Sequence, residues 1–203
     1  MLKRIALPIL SIFLFTACSL KMPEFSMPSF LSFSDDKDAI ALEKANVCQK
    51  IEEQDNKLFC YRKILNENSY AQLRMGTYSV EKKDYKKAVE YLNQSINNEN
   101  AYANLALAFL YYKGDGVEKD IDKAFKLLND SSDVDPNAAY QLSRFYLQGI
   151  NTKVDVDKGI DLLEFAASKN MLTAQKMLVN IYKDGLFSQD KDTKKVKYWE
   201  DII

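Results

Sequence analysis

The chain has 203 residues, with 28 lysines and arginines against 29 aspartates and glutamates, for a formal net charge of −1. A balance this close to neutral leaves no basic footprint for nucleic acid. Histidine is absent, which removes Ser-His-Asp and Cys-His catalysis, histidine-bearing zinc sites and a histidine pH switch.

Met1-Leu2-Lys3-Arg4 is a basic start, and Ile5 to Ala17 is almost wholly apolar. That stretch suits the apolar core of a secretory signal and is too short to span a bilayer. It runs into Leu14-Phe15-Thr16-Ala17-Cys18-Ser19. Small residues followed by cysteine resemble the processing box of bacterial lipoproteins, although Phe15 departs from the more usual leucine. The resemblance implies cleavage before Cys18, diacylation of its thiol and acylation of the new N-terminus. Two or more acyl chains anchor stably, where one holds only marginally. Ser19, where an aspartate would retain the protein at the inner membrane, implies sorting to the outer membrane, facing the periplasm. The expectation is therefore a signal peptide over 1–17 and a lipidated cysteine with a flexible tether over 18–37. The tether carries Met22-Pro23-Glu24-Phe25-Ser26 and Met27-Pro28-Ser29-Phe30, whose prolines oppose helix. It is either a spacer or a segment whose Phe25, Phe30, Leu31 and Phe33 meet the lipid interface or a partner groove.

A helical pattern is expected from Asp38, with Ile40, Leu42, Ala45, Val47 and Cys48. The polar break Glu52-Glu53-Gln54-Asp55-Asn56 separates it from Leu58 to Leu65. This predicts an antiparallel hairpin over 38–68, with Cys48 and Cys60 about equally far from its turn. With Cys18 assigned to lipid, two cysteines remain in a chain exported to an oxidising compartment. A Cys48–Cys60 disulfide is predicted, the alternative being two buried thiols. Neither CxxC chemistry nor a zinc site fits the spacing.

Asp84-Tyr85-Lys86-Lys87-Ala88-Val89-Glu90-Tyr91-Leu92, with Gly76 twelve residues before Ala88, resembles the second helix of a tetratricopeptide repeat. One such unit is expected over 69–100. Beyond it, Gly114, Gly149 and Gly185 recur at steps of 35 and 36 residues. Each is preceded by alanine (Ala103, Ala138, Ala174), leucine (Leu107, Leu142, Leu178) and tyrosine (Tyr111, Tyr146, Tyr182) at offsets of four within one helical face. Each glycine suits a left-handed helix stop. Asp120, Asp155 and Asp135-Pro136 suit helix starts. Counted from the glycines, Ala124, Gly159 and Lys195 occupy one second-helix position, and Leu127-Leu128, Leu162-Leu163 and Tyr198-Trp199 the next turn.

The pattern A-x3-L-x3-Y-x2-G-x-G-V-x2-D-x2-K-A-x2-L-L resembles the Sel-1-like repeat, a relative of the tetratricopeptide repeat, over 101–203. Asn151 stands where a second glycine is usual, a mild change because asparagine tolerates the left-handed region. Phe187 and Lys195 are the departures in the third copy. The expected fold is an all-α helical-hairpin solenoid without a sheet: one hairpin and four repeats, ten helices.

No catalytic, metal or cofactor site is expected. The resemblance implies a non-enzymatic scaffold or adaptor of the envelope, anchored by its N-terminal lipid and holding a protein or peptide on the concave face, in envelope assembly, secretion or host interaction. Exposed first-helix positions offered for that contact are Asn104, Gln141, Arg144 and Lys176. At the C-terminal helix, Val196, Tyr198, Trp199, Ile202 and Ile203 are either an uncovered apolar end that docks a partner or a second copy, or fold back over their own unit. The alternative to the adaptor is a peptidoglycan- or glycan-binding or wall-modifying protein.

Overall fold

The computed structural model describes residues 33–203, with side chains from Lys37 onward. The signal, Cys18 and most of the expected tether lie outside the described residues. The chain divides into units 1–38 and 39–203, and the second carries the architecture.

Ten α-helices make up the described residues, with no strand. Helix α1 (Phe33–Gln49) starts five residues before the expected Asp38, and α2 is Gln54–Ile64. Four hairpins follow. They are α3 (Ser69–Glu81) with α4 (Tyr85–Asn97), α5 (Ala103–Lys113) with α6 (Ile121–Asn129), α7 (Pro136–Gln148) with α8 (Val156–Ser168), and α9 (Leu172–Asp184) with α10 (Thr193–Glu200). Helix boundaries follow local chemistry. Gly114, Gly149 and Gly185 end α5, α7 and α9 with φ of 82°, 66° and 71°, in the left-handed region where a Cβ is costly. Asp84, Asp120, Asp155 and Asp192 cap the second helices, each accepting a backbone N–H one turn in. Asp135 caps α7 with Pro136 in its first turn. Asn151 is left-handed at φ 57°.

The core is a row of adjoining clusters. Ala45, Leu58, Tyr61 and Met75 join the first hairpin to α3. Ala88, Leu92, Ala103 and Leu107 join α4 to α5. Leu128, Leu142 and Phe145 sit between α5, α6 and α7, and Leu163, Leu178, Tyr182 and Trp199 between α7 and α10. Each unit therefore covers the apolar face of its neighbour, as in a solenoid.

Candidate interaction surface

The surface follows from which faces of the first helices α3, α5, α7 and α9 are covered. Ala71, Ala103, Ala138 and Ala174 are fully buried and serve as a reference. The next position (Gln72, Asn104, Ala139, Gln175) is buried in all four, and so is the fourth (Met75, Leu107, Leu142, Leu178). First helices are thus packed on two sides. The open strip lies two and six residues after the alanine, on one helical face, and nine residues after it on α5 and α9; on α7 that ninth position is the buried Leu147. It carries Leu105, Phe109 and Tyr112 on α5, Tyr140 and Arg144 on α7, and Lys176, Asn180 and Lys183 on α9, all half-buried or exposed.

Two expected contact residues are corrected by this geometry. Asn104 is 6% exposed, because the position beside the stripe alanine faces a neighbouring helix. Trp199 is 7% exposed and packs in the cluster with Ile181 and Tyr182, so α10 folds back over its own unit. Tyr198, Ile202 and Ile203 stay exposed. Lys176 is exposed as expected.

Gln141 and Arg144 come together. Arg144 Nη1 donates to Gln141 Oε1 at 3.2 Å, and both line a cleft of about 80 Å³ between α5 and α7. Phe109, Tyr112, Phe145 and Ile150 supply its apolar walls, with Leu128 of α6 behind. Phe145 is buried, and its ring meets Tyr112 edge-on with centroids 5.9 Å apart. Phe109 and Tyr112 remain 40% and 39% exposed. Neither was singled out from the sequence, though Phe109 occupies the same strip offset as Arg144 and Tyr112 lies one turn further along the same face.

Each Sel-1-like turn is closed by one circuit. The carbonyls of Tyr111, Tyr146 and Tyr182 accept from the N–H groups of Asp120, Asp155 and Asp192 at 2.9, 3.0 and 3.0 Å. Those aspartates accept from the N–H of Lys123, Lys158 and Lys195. The same lysines return to the tyrosines. Lys123 and Lys195 Nζ donate to the phenol oxygens at 2.7 and 3.0 Å, and Lys158 lies 4.5 Å from the Tyr146 ring centroid. Burial pushes the Tyr182 phenol above its ordinary value, and its hydroxyl raises Lys195. This corrects the third copy's register. Gly185 to Asp192 is one residue longer than Gly114 to Asp120. Lys195 is therefore the equivalent of Lys123, and Trp199 that of Leu127. The added residue falls in a 3₁₀ turn, Leu186–Ser188, with Phe187 at φ 56°.

At the other end, Cys48 and Cys60 are joined by a disulfide, S–S 2.03 Å. Among the described residues no group of three His, Cys, Asp or Glu side chains is placed to hold a metal. No described helix is long and apolar enough to cross a membrane.

The Sel1 repeat family matches residues 69–100, 101–130 and 136–171. Its first match is the stretch expected to be plain tetratricopeptide-like. A 102-residue segment is 31% identical to the alginate biosynthesis protein AlgK of Pseudomonas syringae, covering 50% of this chain and 22% of that one. A 57-residue segment is 40% identical to HRD3B of Arabidopsis thaliana, an ERAD-associated E3 ubiquitin-protein ligase component, covering 28% and 9%. The matched parts are thus under a quarter of either relative. The crystal structure of a Sel1 repeat protein from Oxalobacter formigenes superposes with a TM-score of 0.70 at 20% identity, covering 83% of this chain and 71% of that one. The chain is a Sel1-repeat protein with an all-α solenoid fold.

Proposed function

We propose that this protein is a non-enzymatic adaptor of the bacterial cell envelope. It is anchored to the outer membrane through lipid on Cys18, and it holds a protein or peptide partner on its first-helix face. The observation that carries the reading is the open strip, where half-exposed Phe109 and Tyr112 flank a cleft rimmed by Arg144. Aromatic and arginine side chains at the edge of a pocket are the residue types that concentrate binding energy at protein interfaces. Likeness to a protein of alginate biosynthesis and to a ubiquitin-ligase component supports work within an assembly. The sequence around Cys18 supports the anchor.

The test is affinity purification after cross-linking in living cells, with the full-length chain as bait and Cys18→Ser as the mislocalised control. One dominant protein partner, lost with the control, is expected. Recovery of peptidoglycan or glycan fragments alone would move the assignment to a wall-binding protein. A partner retained equally by the Cys18→Ser form would remove the membrane anchor from the account.

A further inference from the structure

We propose that the first-helix face takes an acidic segment of a partner protein that carries an aliphatic residue. The aliphatic side chain sits in the α5–α7 cleft, and the carboxylates lie against Arg144 and the lysines of α9. This rests on the reading of that face as the partner surface.

The size of the cleft sets the apolar part. At about 80 Å³ it is roughly half the ~150 Å³ cavity that admits a benzene ring. A leucine or valine side chain fits such a space better than an aromatic ring. Its walls are apolar except for Gln141 and Arg144, and its rings are rigid, so little side-chain entropy is lost when they are covered.

Charge sets the rest. Arg144 is the one charged residue lining the cleft. Its guanidinium donates to Gln141 Oε1 at 3.2 Å, an amide oxygen and not a carboxylate. The remaining N–H groups form a planar fork suited to a carboxylate. Along the strip the character changes in one direction. It is apolar and aromatic on α5, then Tyr140 and Arg144 on α7, then Lys176 and Lys183 on α9. None of these strip positions holds an acid; Asp184 stands one residue beyond the strip. The segment recognised therefore has its acids all to one side of the aliphatic anchor.

The test pans a random-peptide phage library against the purified whole chain. Enriched sequences are then measured as labelled synthetic peptides by fluorescence polarisation. The expected peptides carry leucine, isoleucine or valine with aspartate or glutamate to one side of it. Binding should fall by about tenfold or more in Arg144→Glu and weaken with salt. Arg144 is exposed, so circular dichroism of that variant should match the parent. Enriched peptides without acids that still need Phe109 overturn the acidic class while leaving the partner face intact. Enrichment no different on a Phe109→Ser/Arg144→Glu double variant overturns the proposal and the partner face together.

Discussion

At the residue scale, the three tyrosine–lysine circuits explain why a turn of this length can be rigid without a large core of its own. In the last circuit, Lys195 and Tyr182 both titrate above their ordinary values of 10.5 and 10.0 in the folded state. A raised folded-state value means the stabilisation is present below the unfolded value and lost as pH rises through the folded one. The melting temperature is therefore expected to hold through neutral pH and fall above about pH 10. Lys195→Met, which removes the bond to the Tyr182 phenol, should melt lower than the parent at pH 7, measured by circular dichroism. An unchanged melting temperature at pH 7 would contradict the circuit. Gly116 is a second residue-scale test. Its φ is 73°, and a Cβ there would lie 2.5 Å from Tyr85 Cβ and 3.0 Å from its backbone. Gly116→Ala should cost about 1–3 kcal/mol in urea unfolding, since neither the backbone nor the preceding unit can yield cheaply. The glycines and capping aspartates were legible in the sequence because the physics of a helix end is local. The burial of Asn104 was not, because it depends on a second packing partner that one helix's periodicity does not reveal.

At the element scale, helices survive by what covers them. Helix α10 has eight residues, too few for independent stability, and Trp199 is its one buried side chain. Trp199→Ala is expected to cost about 3–5 kcal/mol, with hydrogen exchange showing α10 lost first. Tyr198→Ala should change stability by less than about 0.5 kcal/mol. Comparable effects from the two substitutions would contradict the assignment of Trp199 to the core. Counting from Gly185 placed Tyr198 and Trp199 together at the leucine pair. Counting from the capping Asp192 aligns Trp199 with Leu127 and Leu162, so the cap was the better anchor in a copy whose turn had grown. The first hairpin rests on α1 and α2 being held together by Cys48–Cys60, a short closed loop worth roughly 3 kcal/mol in the chain-entropy model. Reduction, or Cys48→Ser with Cys60→Ser, should raise exchange in α1 and α2 while α7 and α8 keep their protection. Loss of protection along the whole array would mean that the hairpin is not an independent cap.

For the whole molecule, the repeat was legible because each unit must present the same faces to its neighbours, which forces the alanine, leucine and tyrosine to recur. What the units present to a partner is under no such constraint. The strip changes from Phe109 and Tyr112 to Arg144 to Lys176 and Lys183, and no internal periodicity announces it. Only when burial separates covered from open positions do Gln141, Arg144, Phe109 and Tyr112 converge on one cleft. In the proposed reading this face, and not the second-helix side, holds the partner. The most direct measurement is photo-cross-linking in living cells from a benzoylphenylalanine placed at Phe109, compared with one at the exposed Lys126 of α6. A discrete cross-linked protein is expected from Phe109 and none from Lys126. The same product from both positions, or a product from Lys126 alone, would contradict it.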